Sequence, residues 1–270
     1  MPTIVRSVPD ASTPGDARGD GHIERGADDL YLGSRMAYSR VIGALFVLGF
    51  LTYGVGSALV ASVTGAPDYV STISTHQTTL TLGAFLLVLN SLVDIGKGVL
   101  FFPILVKHGQ RTALTYLAAM IVEVVLLTVG ALALLLIVPL GREAVDSGQS
   151  NAAWAQALGS LLAQTNTMAY QIGETSLGLG GLFLCSLLFR VRLIPRFLAV
   201  AGFVGYASLV TGTTAEIFGI HIGLILTIPG IFFELGLPVW LFIKGFQPAA
   251  YGGPAWSAMT PTVRPASATP

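Results

Sequence analysis

Charge is what this sequence has least of. Only 10% of its 270 residues are Asp, Glu, Lys or Arg, against about 25% in a typical soluble domain. With 53% hydrophobic residues and a mean hydropathy of +0.74, the composition excludes an ordinary soluble domain and indicates a membrane protein. Cysteine is almost missing: Cys185 alone can form neither an internal disulfide nor a C-x-x-C motif. Histidine is sparse and scattered, at His22, His76, His108 and His221. No i, i+4 pair is present to bind a metal, and no two mid-span histidines are present to ligate haem. G-x-S-x-G, the P-loop and H-E-x-x-H are absent. The serines have no histidine at matching depth. These absences count against an intramembrane enzyme, and no cofactor is implied. Nor is there an excess of basic residues, 14 against 14 acidic, to attract nucleic acid.

What is present is length of apolar chain. A spanning helix needs about 20 mainly apolar residues, and six segments qualify, near 41–63, 80–106, 113–138, 168–189, 197–217 and 221–243. The expected fold is an all-α polytopic helix bundle with six transmembrane helices. Residues 1–37 mix Pro, Gly, Asp and Arg without a period and are expected to be a disordered tail; the first apolar segment then acts as a signal-anchor, not a cleaved signal peptide. Residues 38–247 form the membrane domain, and 248–270 a second disordered tail. Between the third and fourth segments, "AAWAQALGSLLAQ" repeats apolar residues at helical spacing. This predicts a short amphipathic helix on the outer surface near 153–166, with Trp154 at headgroup depth.

Threading follows from Lys and Arg. Arg6, Arg18, Arg25, Arg35 and Arg40 precede the first span. Lys107 and Arg111 lie between the second and third, Arg190, Arg192 and Arg196 between the fourth and fifth, and Lys244 and Arg264 after the sixth. The other three connections hold only Arg142. The alternation predicts both termini on the cytoplasmic side. Eleven Arg against three Lys, with abundant Gly and Ala, is compatible with a GC-rich bacterial genome, a compositional hint and no more; the expected location is a bacterial plasma (inner) membrane.

The polar residues inside the spans stand out. Asn90, Asp94, Lys97 and Phe101 share one face of the second helix, with Gly83 on the same stripe. Tyr116, Glu123 and Gly130 recur at seven-residue steps in the third. Thr167, Gln171, Glu174, Gly178, Gly181 and Cys185 align in the fourth, Gly202, Gly205, Gly212 and Glu216 in the fifth, and Gly223, Thr227, Gly230 and Glu234 in the sixth. Small residues mark helix–helix contact in lipid, so the ionisable groups are expected to face the bundle interior. A charge at bilayer centre costs about 2.5–3.5 kcal/mol on insertion scales. Asp94, Lys97, Glu123 and Glu234, all near mid-depth, therefore need compensation. Lys97 can neutralise Asp94, three residues away. The remaining carboxylates must be protonated or balanced by a cation. Glu174 and Glu216 lie nearer the outer interface, where a solvated rim position is expected. Pro238 cannot donate to the carbonyl of Glu234, and broken helices at mid-depth often line transporter sites.

The stretches "LFRVRLIPR" (Leu188 to Arg196) and "KGF" (Lys244 to Phe246), together with Asp94, "AYQIG" and Glu234, resemble the bacterial multi-pass membrane family known as domain of unknown function 4386, over about residues 38–247. The resemblance implies a six-helix membrane protein and brings no activity, cofactor or catalytic residue with it. Three readings stand. In the first, Asn90, Asp94, Lys97, Glu123 and Glu234 form a proton- or cation-responsive centre of a transport-like protein, with Tyr116, Gln171 and Glu174 as secondary members. In the second, the buried charges only specify packing of a structural or partner-binding membrane protein, its partner another membrane protein or a second copy. The third is a lipid-directed intramembrane enzyme.

Overall fold

In the computed structural model, residues 17–66, 69–146, 152–247 and Ala250 are described. They form six helices and no strand: α1 (Ala17–Thr64), α2 (Ile73–Val106), α3 (Gln110–Asp146), α4 (Ala152–Val191), α5 (Arg196–Ile217) and α6 (Gly223–Ile243). Each contains a segment long and apolar enough to cross a membrane. Each helix packs against the next in sequence, and α1 also packs against α6. Successive helices run antiparallel and the ring closes on itself, so the molecule has an interior that all six helices can reach.

The ring closes at the start of the α1 span and the end of α6. The Phe246 N–H donates to Ser39 Oγ at 3.2 Å, and Arg40 Nε donates to the Phe242 carbonyl at 3.3 Å. A Cβ on Gly43 would stand only 3.4 Å from the Pro238 carbonyl oxygen. At this end Leu193 and Ile194 of the α4–α5 connection turn fully into the core, while Arg190, Arg192 and Arg196 around them stay exposed. Of the predicted tail 248–270 only Ala250 is described. It is buried against the same core, with Lys107 Nζ 3.5 Å from its carbonyl; the rest lies outside the described residues, as do residues 1–16.

Several boundaries differ from expectation. α1 already begins at Ala17, inside the segment expected to be disordered, although its apolar span is Arg35–Thr64. No proline interrupts residues 17–37, and helix extension from an existing span is far easier than nucleation. The amphipathic helix predicted near 153–166 is not a separate element. α4 runs unbroken for 40 residues with no proline, exposing Trp154, Leu158 and Leu161 and turning Ala155 and Gly159 inward. At 1.5 Å per residue, α2, α3 and α4 are about 50–60 Å long, well beyond a hydrocarbon core of about 30 Å. Their extra turns meet at one end, where Tyr69, Val70, Ile73, Ile137 and Ala155 form a second apolar core. Gly141 and Gly159 permit that contact, since a Cβ on either would collide with Ile73 or Val70.

The α5–α6 hairpin is as tight as "TGTTAEIFGIH" suggests, with five residues between the helices and Gly219 at φ +78°. Glu216 closes it: Oε1 accepts from the Gly223 N–H at 2.8 Å, and Oε2 lies 2.9 Å from His221 Nδ1. Glu216 stands half-buried at the end of α5 and outside the central cavity. α6 is continuous through Pro229 and Pro238, so no broken helix is formed.

Candidate functional site

α2 carries the fixed part of the polar centre. Its i, i+4, i+7 spacing aligns Asn90, Asp94 and Lys97, and all three lie inside the bundle. Lys97 Nζ forms an ion pair with Asp94 Oδ1, while Asn90 Nδ2 donates to Asp94 Oδ2 at 2.8 Å. Both Asp94 oxygens are thus occupied. Thr52 of α1 bonds back to the Leu48 carbonyl at 2.9 Å, and its hydroxyl lies 3.3 Å from Asn90 Oδ1. The Lys97 ammonium sits 5.0 Å from the centroid of the Phe46 ring, within cation–π range. Gly49 makes this approach feasible, because a Cβ there would lie 3.3 Å from Lys97 Nζ.

Around this group lies a cavity of about 220 Å³ to which every helix contributes. Asn90, Asp94 and Lys97 line it from α2, Glu123 from α3, Glu174 from α4 and Glu234 from α6. α5 contributes Gly205, Tyr206 and Leu209. The structure therefore brings together all five residues expected at the polar centre. It also corrects the rim position expected for Glu174, which faces the cavity. The buried Gly173 beside it packs against the Glu123 backbone, 3.5 Å from the position its own Cβ would take, so this face of α4 lies against α3. Tyr116 and Gln171 do not line the cavity. Tyr116 is buried in apolar packing, its ring centroid 6.4 Å from that of Phe101, and Gln171 is half-buried beside the site.

Four carboxylates thus share a cavity with one lysine. Asp94 is neutralised by Lys97, which leaves Glu123, Glu174 and Glu234. Glu123 is 2% exposed, and its Oε2 has no hydrogen-bond partner among the described residues. An ionised carboxylate in that position is costly; a proton or a bound cation would remove the cost. The three glutamates come from three different helices. Among the described residues no group of His, Cys, Asp and Glu converges tightly enough to hold a metal ion.

The rest of the wall is aromatic, which the sequence reading passed over. Phe46, Phe50, Tyr53, Tyr170, Tyr206 and Phe233 all line the cavity. The signal was present in α1, where Phe46, Gly49, Phe50 and Tyr53 recur at helical spacing, but such a stripe reads equally well as packing. Tyr53 and Tyr170 stack with centroids 5.2 Å apart and rings 17° from parallel. Both also line a second cavity of about 280 Å³, walled by Ser57 and Thr64 of α1, Leu127 and Leu134 of α3, and Asn166 and Thr167 of α4. The two cavities lie one above the other along α1, with the tyrosine pair between them. The central cavity is not sealed: Phe50 and Gly54 in its lining are also exposed, so its mouth lies beside α1.

Neither a curated protein nor a solved structure matches the chain. A family match does exist and spans residues 41–245, which takes in α1 from Val41 onward, all of α2 to α6 and every residue of the two cavities. The chain belongs to the family described as Domain of unknown function (DUF4386).

Proposed function

We propose that this protein is a transport-like membrane protein of a bacterial plasma membrane, built around a proton- or cation-responsive centre, with both termini cytoplasmic. The observation that carries the reading is the cavity itself. Buried charges that serve only packing would be surrounded by side chains; here three glutamates not needed by Lys97 border open volume, and one has an unpartnered oxygen at 2% exposure. Ionisable groups within spans are costly and mark ion or substrate paths by default. In this reading Asp94 and Lys97 hold the fixed charge, with Asn90 orienting Asp94. Glu123, Glu174 and Glu234 exchange protons or hold the cation. The second cavity beyond Tyr53 and Tyr170, where neutral polar side chains stand among apolar ones, supplies an approach in this reading.

The test is flux. Reconstituted in liposomes with an imposed pH or cation gradient, the protein should dissipate the gradient faster than empty vesicles, and Glu234→Gln should abolish the difference. A structural or partner-binding role, with the charges specifying packing alone, would instead leave flux at the background level in both proteins and lower only the melting temperature of the variant.

A further inference from the structure

We propose that the ligand of the central cavity is a protonated amine with an apolar body, not a bare inorganic ion. The inference rests on the cation reading above and narrows it. A small ion is held by several oxygens closing on one point, and the glutamates of this cavity are dispersed over three helices with no metal-type cluster among the described residues. The space is also too large for an ion alone: a cavity of about 150 Å³ already accepts a benzene ring, and this one measures about 220 Å³.

The wall chemistry points the same way. Aromatic faces attract a cation and tolerate an apolar body, and Phe50, Tyr53, Tyr170 and Phe233 supply them. Glu123 Oε2, buried and unpartnered, needs a hydrogen-bond donor. An ammonium N–H supplies both the donor and the charge. The mouth beside Phe50 and Gly54 opens on the side of a helix that spans the membrane, where an amphiphilic amine would partition from the bilayer. A Cβ at Gly54 would meet nothing within 4 Å, so the space beside it is open and a large side chain there can fill it.

Calorimetric titration of the full chain in lipid nanodiscs tests this with benzylammonium, its neutral counterpart benzyl alcohol, and sodium, potassium and calcium chlorides as probes. Benzylammonium should bind at one site per chain, at least about ten-fold tighter than benzyl alcohol, as expected where a charge-assisted hydrogen bond is at stake. Glu123→Gln should weaken benzylammonium binding by about the same factor. Gly54→Leu should block it while keeping the wild-type melting temperature, which separates loss of the site from loss of the fold. Equal binding of benzyl alcohol overturns the proposal. So does carboxylate-dependent binding of an inorganic cation without binding of the amine, a result that leaves the broader cation reading standing. Binding of neither amine nor inorganic cation overturns both.

Discussion

Asp94 and Lys97 depend on each other more than on anything else in the protein. Asp94 is buried and Lys97 half-buried, and Asn90 holds Asp94 from its other oxygen. Removing one partner of a buried pair leaves an uncompensated charge and costs about 3–5 kcal/mol, whereas replacing both by apolar residues is often near neutral. Asp94→Leu should therefore destabilise the protein by about 3 kcal/mol in reversible unfolding from mixed micelles. The double variant Asp94→Leu/Lys97→Met should recover most of that loss. Simple additivity of the two single effects would show that the pair is not the unit described here. The alignment of Asn90, Asp94 and Lys97 on one face was legible from helical spacing alone. Their partners on α1, Thr52 and Phe46, were not, because contacts between helices depend on rotation and depth that spacing within one helix does not carry.

Glycine decides how closely neighbouring helices approach. At the α5–α6 contact, a Cβ on Gly205 would stand 2.9 Å from the Gly230 Cα, whereas a Cβ on Gly230 would meet only the Gly205 carbonyl oxygen, at 3.8 Å. The two positions face each other, yet they are not equivalent. Gly205→Ala should lower stability by about 1–3 kcal/mol, as overpacking of a close contact does. Gly230→Ala should be neutral or slightly stabilising, since alanine has the higher helix propensity. Thermal unfolding of the two variants in one detergent checks the asymmetry, and equal losses would contradict it. The sequence reading identified both glycines as contact residues from their shared stripe with Glu216 and Glu234. Which of them has room to spare is a property of backbone positions, and the sequence does not contain those.

Across the whole molecule, the start of the α1 span and the end of α6 meet through Ser39, Arg40, Phe242 and Phe246. The chain therefore enters and leaves the bundle at the same end. In the proposed threading that end is cytoplasmic, because the positive-inside pattern places Lys107, Arg190, Arg192, Arg196 and Lys244 there. Reporters fused before α1 and after α6 should both read cytoplasmic in cells, and a reporter placed in the α3–α4 connection should read outside. Reporters before α1 and after α6 reading on opposite sides would overturn the threading. The same arrangement gives the two cavities a direction. The apolar core that includes Leu193 and Phe246 fills the end where the chain enters and leaves, while the cavity beyond Tyr53 and Tyr170 extends along α1 toward Thr64.

Hydrophobicity acts locally, so the sequence by itself determined that there are six helices, roughly where they run, and which residues of α2, α3 and α6 would be costly to expose to lipid. Glycine stripes were enough to say that those residues point inward. Only the tertiary structure decided that the ring closes through α1 and α6, that Glu174 joins Glu123 and Glu234 rather than the rim, and that aromatic side chains from different helices wall the space between them. Those outcomes depend on how far apart packed helices stand. That distance is set by pairs of residues distant along the chain, such as Gly56 with Gly83 and Gly205 with Gly230, which no local pattern brings together.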